Sequence, residues 1–186
     1  METEVLESLI DGAEETDTLE FKAAIPWSRE TFLKDILALA NTIDGGRIIV
    51  GVEDGTFTRQ GLTAEQIATY DLDIMRDQIA PYADPYVSFR REVVADRQGL
   101  NFVVIEVSSF EEIPIICRRD GNDIFAGTIY FRSRSGRPQS ARISNSSDLR
   151  EVIEVAISRR RRGLERVSLV PTEAAQYDYD NELGGL

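Results

Sequence analysis

The chain has 186 residues, is 42% hydrophobic and carries a formal net charge of -12, which suits one sizeable core rather than a sticky nucleic-acid coat. It has no histidine and one cysteine, Cys117. That composition excludes Ser-His-Asp and Cys-His nucleophile pairs, histidine acid–base catalysis, an internal disulfide and a cysteine-based zinc site.

No apolar run approaches the roughly 20 residues that cross a bilayer, no basic-then-apolar leader opens the chain, and no Gly-Lys dipeptide is present for a phosphate loop. The expectation is a cytoplasmic protein without membrane contact. Lys22 and Lys34 are the only lysines, so nearly all positive charge is arginine, which favours bidentate phosphate contacts where arginines cluster.

In chain order, EVLESLI predicts a short helix with Val5, Leu6, Leu9 and Ile10 inward, broken at Gly12. Glu14, Glu15 and Asp17 follow as an acidic turn. Residues 18–22 read as a strand with Leu19 and Phe21 facing one way and Glu20 and Lys22 the other. Turn and strand together can bring Glu15 and Glu20 to one edge, or leave both as solvated surface.

The stretch TFLKDILALANTIDGGRIIVGVEDG organises what surrounds it. Phe32, Leu33, Ile36, Leu37, Ala40 and Ile43 predict a helix over 31–43, with Ser28 as cap and Trp27 and Phe32 as a hydrophobic staple. Gly45 and Gly46 end that helix, and RIIVGV is a buried strand in which Gly51 lets another backbone approach. Glu53, Asp54 and Gly55 then turn the chain, the two carboxylates placed either to hold a metal or to face water.

Thr63 and Gln66 form a capping box for a second helix, stapled by Leu62 and Ile67, with Ile67, Tyr70, Ile74, Met75 and Ile79 inward and PYADP at its end. YVSFRREVV and LNFVVIEV make a hairpin through ADRQG. Residues 113–117 read as a short strand that Pro114 marks as an edge or irregular segment, in which Cys117 is a buried structural thiol. Residues 128–134 alternate, with Ile129 and Phe131 inward and Tyr130, Arg132 and Arg134 outward.

A third helix is capped by Asp148 and Glu151, turns Leu149, Val152, Ile153, Ala156 and Ile157 inward, and finishes in Arg159, Arg160, Arg161 and Arg162 before Gly163. That run either compensates the helix dipole or binds phosphate. The organisation expected is one domain over 1–163 and an acidic flexible tail over 164–186.

LEFK, ALANTIDGGRIIVGVEDG, PYADP, VVIEV, IPIIC and IYFRSRSG, in this order, resemble the Schlafen AlbA_2 domain over residues 17–142. The resemblance implies an α/β fold with a mixed sheet flanked by helices. It also implies a metal-dependent endoribonuclease acting on transfer or ribosomal RNA. The family's acids are two glutamates five apart, the second in the EFK motif, and an aspartate after the GV of the central strand. Here they fall at Glu15, Glu20 and Asp54, with Lys22 beside them to stabilise phosphate charge. Their hard oxygens suit Mg²⁺ or Mn²⁺.

Tyr130, Arg132, Arg134, Arg137 and Arg142 would then form the RNA-facing edge, with Arg159, Arg160, Arg161 and Arg162 as a second basic site. The alternative is a non-catalytic DNA-binding regulator or a protein-interaction subunit of a larger assembly such as an antiviral defence complex. The acidic balance and acidic tail favour that alternative. Because the family builds its groove from two domains, a homodimer is expected of this single one.

Overall fold

The apolar runs RIIV and FVVI leave neither face of their strands polar, so both faces must be covered. In the computed structural model, which describes residues 1–12, 14–133 and 138–167, these runs lie in β2 (Gly46–Val50) and β5 (Asn101–Val107). They are the central strands of a sheet ordered β1 (Leu19–Lys22), β2, β5, β4 (Phe89–Ala95). β1 is parallel to β2 and the remaining pairs are antiparallel, giving the expected mixed α/β architecture.

Alternation along the strands sorts the core into two layers. Ile48, Val50, Val103, Ile105 and Val107 pack toward α2 (Arg29–Ala40). Leu19, Phe21, Ile49, Phe102 and Val104 pack with Leu6 and Ile10 of α1 (Thr3–Asp11) on the other face. In α1, Val5 is exposed rather than inward, and Glu7 is buried in its stead. Glu7 pairs there with Arg97, Nε to Oε2 at 3.0 Å.

α2 is buried nearly all round, because an antiparallel pair, β7 (Tyr130–Arg132) and β8 (Ser140–Arg142), also packs on it. The rings of Trp27 and Phe32 stack at 5.0 Å, as a staple requires. Ser28 occupies the cap position, but its hydroxyl turns to Glu30 Oε2 at 3.4 Å instead of capping.

The helix stops at Ala40, earlier than the periodicity suggests, because Asn41 is drawn into other bonds. Its Nδ2 donates to the carbonyls of Leu37 (3.2 Å), Ile115 (2.9 Å) and Tyr130 (2.9 Å), and its Oδ1 accepts from the Ile115 N–H at 2.8 Å. Gly45 then takes φ +72° where a Cβ would lie 2.2 Å from the Val107 carbonyl oxygen. Gly51 meets a second backbone as expected, its carbonyl accepting from the N–H groups of Gln60 and Gly61 at 2.8 and 3.0 Å.

The helix expected after Thr63 is two helices, α3 (Ala64–Ala68) and α4 (Leu72–Ile79). The Thr63–Gln66 capping box opens the first, and Asp71 opens the second by accepting from the N–H groups of Asp73 and Ile74. That break turns Ile74 out to solvent while Met75 and Ile79 stay buried. β3 (Ala83–Asp84) and β6 (Ile116–Cys117) form a separate two-stranded sheet, and Cys117 is buried and free.

The last helix, α5 (Ser146–Arg166), is capped by Asn145 Oδ1, which accepts from the Asp148 N–H at 2.8 Å, so the cap lies N-terminal to the pair read from sequence. It continues through Gly163. Of its expected inner face, Val152 is buried and Ala156 partly buried, but Leu149, Ile153 and Ile157 are exposed. Residues 168–186 of the expected tail lie outside the described residues. Among the described residues, no helix is long and apolar enough to cross a membrane.

Candidate functional site

Edge strand β1 creates the site by a conflict of alternation. With Leu19 and Phe21 committed to the α1 face, Glu20 and Lys22 must point to the α2 face, in register with Ile48 and Val50. Two charges there lie beside an apolar core and need partners.

The partners come from distant elements. Glu20 Oε2 accepts from Arg132 Nη1 of β7 at 2.5 Å, while Oε1 accepts from the Lys22 ammonium. Lys22 Nζ also reaches Asp35 Oδ2 of α2 at 2.9 Å. Burial works against the Lys22 charge, but Asp35 and Glu20 outweigh it and hold its pKa above the usual lysine value.

Arg132 is fully buried and uses its whole fork. Beyond Glu20, Nη2 donates to the carbonyls of Thr16 (2.9 Å) and Leu19 (3.2 Å), Nε donates to Thr16 (3.2 Å), and Nη1 donates to Ser140 Oγ (3.2 Å). One guanidinium thus pins the acidic turn to β1 and β8.

Glu15 sits in that turn, its Oε1 accepting from the Phe21 N–H at 3.2 Å. Burial first, then the negative charge of Glu20, raise its carboxyl above the ordinary value; the Phe21 N–H and Arg132 oppose this, and Asp54 adds to it. Asp54 is exposed in the turn after β2, next to Glu53, whose carboxylate accepts from Thr56 Oγ1 at 2.6 Å. The structure therefore brings Glu15, Glu20 and Lys22 together, with Asp54 close enough for its charge to act on Glu15.

The proposed outward edge needs correction. Tyr130 and Arg132 are buried, because a strand packed on α2 cannot present that face to solvent. The Tyr130 hydroxyl accepts from the Phe125 N–H at 2.9 Å, leaving Phe125 as the exposed ring. Arg142 is exposed, its guanidinium carbon 5.8 Å from the Phe125 ring centroid. Arg134 and Arg137 lie outside the described residues.

In α5, Arg159 lies 4.6 Å over the Phe110 ring and donates to the Ile43 carbonyl, Arg160 pairs with Glu112, and Arg161 Nε pairs with Glu165 at 2.9 Å. Burial and then Arg162 lower the Arg159 pKa, against the pull of Asp44. Arg162 is exposed without an ion pair among the described residues.

Sequence reading missed Asp35 and the inward role of Arg132. Asp35 was findable, since it lies one turn before Ala38 and Leu39 on a helix that reads as core. Arg132 was not, because strand alternation cannot show that both faces of a short strand are covered.

Residues 15–140 match the family model described as Schlafen, AlbA_2. Curated proteins gave no match. Among solved structures, the chain is similar to the DIP2311 protein from Corynebacterium diphtheriae, with 18% identity and a TM-score of 0.50 over 78% of this chain and 27% of that one. It is also similar to the N-terminal domain of a RecG-related protein from Nitrosomonas europaea, with 20% identity and a TM-score of 0.46 over 77% of this chain and 89% of that one. This chain spans 27% of the length of the first of these, and the likeness is one of fold.

Proposed function

The chain belongs to the Schlafen AlbA_2 family, and we propose that it is a nucleic-acid-binding domain of the cytoplasm whose ligand is RNA, either single-stranded or the structured RNA of a tRNA. The observation that carries this reading is the exposed pair Arg142 and Phe125. A guanidinium beside a bare ring offers phosphate a charge and a base a stacking surface within one contact. Arg142 is opposite Tyr130 on the ribbon whose Arg132 holds Glu20, and Phe125 is tied to that ribbon by the bond from its N–H to the Tyr130 hydroxyl.

Fluorescence anisotropy with labelled tRNA and a labelled single-stranded RNA tests it. Saturable binding that weakens with salt is expected. Absence of binding at low salt ends the reading, and a preference for duplex DNA transfers it to a DNA-binding regulator.

Cleavage is a finer reading favoured by one observation, the raised carboxyl of Glu15. The charges of Glu20 and Asp54 both act on Glu15, and Mg²⁺ or Mn²⁺ would relieve that repulsion and suit the oxygen donors. The donors suit a metal, but their arrangement does not. Both Glu20 oxygens are held by cations, and among the described residues no group of three or more His, Cys, Asp or Glu side chains is placed to hold an ion. Incubating tRNA with the protein and either Mn²⁺ or a chelator decides the matter: fragments only with Mn²⁺, lost in Asp54→Asn, support cleavage, and intact tRNA in both leaves binding alone.

A further inference from the structure

α5 carries an apolar stripe that nothing in the chain covers among the described residues. Leu149, Ile153 and Ile157 are 41%, 45% and 63% exposed. Spaced four apart, they share one face of the helix, which Leu164 extends two turns on. Ile113, 58% exposed, and Pro114 lie beside Ile157 and Leu164 and broaden the stripe into a shallow groove. Val152 and Val155, on the other side of the helix, make its contacts with the core. A contiguous apolar surface of this kind marks an interface.

The charges along one margin of the stripe say what fits there. Arg150, Glu154, Arg161 and Glu165 follow one another at intervals of four, seven and four, so they line up beside the apolar residues. Their signs run plus, minus, plus, minus. Read backwards the order is minus, plus, minus, plus, which is its own complement. A second α5 laid antiparallel, with a two-fold axis near Ile157, sets Arg150 opposite the partner's Glu165 and Glu154 opposite the partner's Arg161. In a parallel copy the same margin lies on the opposite side of the seam, so these charges would not meet. Flanking charges of this sort fix the orientation of paired helices.

These groups are free to be used in this way. Arg150 and Glu154 are exposed and form no ion pair among the described residues. Arg161 and Glu165 pair within the helix at 2.9 Å, an exposed contact that an interhelical pair can replace. On the opposite margin, the Arg160–Glu112 pair closes the groove against the domain.

We propose that α5 is the interface of an antiparallel, two-fold homodimer, with Leu149, Ile153, Ile157 and Leu164 at its centre and the four charges as its orientation code. Both copies contribute the same patch, so the contact closes on itself and does not propagate. It assigns Arg161 to assembly rather than to phosphate. The proposal stands independently of the nucleic-acid reading.

Light scattering across the micromolar range tests it on the full chain. The expected result is a dimer mass, converted to a monomer by Ile157→Glu with an unchanged circular dichroism spectrum, since the side chain is exposed. Glu154→Arg and Arg161→Glu should each weaken the dimer by about fivefold, because an exposed pair is worth little singly but occurs twice across a two-fold. The double variant should recover most of that loss. A monomeric parent chain overturns the proposal and leaves the stripe to a different protein. A dimer that survives Ile157→Glu, or a double variant weaker than either single, overturns the interface.

Discussion

Arg132 donates to Glu20 across a separation of 112 residues, at 2.5 Å, from a side chain with no solvent exposure. The bond answers a difficulty created in β1, where alternation sends Glu20 and Lys22 toward the core side of the sheet. Removing one member of a buried pair leaves the other charge uncompensated, which costs about 3–5 kcal/mol. Arg132→Met is therefore expected to lower stability by that order, read from urea unfolding. Arg132→Lys should rescue little, since one ammonium cannot reproduce a fork that holds Thr16, Leu19, Glu20 and Ser140 together. Glu20→Gln should also destabilise the fold, so lost activity in that variant would not by itself identify a catalytic residue. Asp54, exposed, is the cleaner probe.

Asn41 is the second fixed point. Its amide joins the end of α2 to Ile115 and Tyr130, and it is 1% exposed. Asn41→Ala leaves the Ile115 N–H without that partner inside the core, and each such buried group costs about 1–3 kcal/mol. A large fall in thermal midpoint is expected. Asn41→Asp should fall comparably, because a carboxylate cannot donate to the Leu37, Ile115 and Tyr130 carbonyls. A midpoint unchanged in both variants would mean that the segment entering β6 and the start of β7 are not secured here.

Glu15 gives the pH dependence a sign. Burial, then the charge of Glu20, raise its folded-state pKa above 4.5, so over the interval above that value the folded chain holds a proton that the unfolded chain has lost. Its contribution to stability is complete below 4.5 and disappears as pH rises through the raised pKa. Glu15→Gln stays neutral and can still accept from the Phe21 N–H. The difference in urea midpoint, variant minus parent, should therefore grow in the variant's favour as pH rises from 4.5 toward neutrality. A difference independent of pH would mean that Glu15 titrates as it does in the unfolded chain.

Local signals with short reach were legible. The β2 run, the Thr63–Gln66 box and the Trp27–Phe32 staple each depend on neighbours a few residues away. The grouping of Glu15, Glu20 and Lys22 was legible for the same reason, as one turn feeds one strand. What failed depended on distant packing. Ile43 looked helical, yet Asn41 had already left the helix for Ile115 and Tyr130. Tyr130 and Arg132 looked exposed because strand alternation assumes a wet face, and α2 covers it. Leu149, Ile153 and Ile157 looked like core because apolar periodicity does not say which chain supplies the cover.

With Tyr130 buried, the ring available to a base is Phe125, held in place by the bond from its N–H to the Tyr130 hydroxyl and flanked by Arg142. The two side chains should fail differently. Arg142→Ala removes a phosphate contact, so binding to single-stranded RNA should weaken and the slope of log affinity against log salt should flatten by about 0.7, the counterion release of one single-strand phosphate. Phe125→Ala removes a stacking surface worth about 1–3 kcal/mol per base, so affinity should fall with the salt slope unchanged. Neither side chain is part of the core, and both variants should unfold like the parent chain. Anisotropy titrations at several salt concentrations separate the two effects. If both variants bind as tightly as the parent chain and with its slope, the RNA path lies elsewhere, and Arg162 becomes the next cation to replace because Arg159, Arg160 and Arg161 are already engaged.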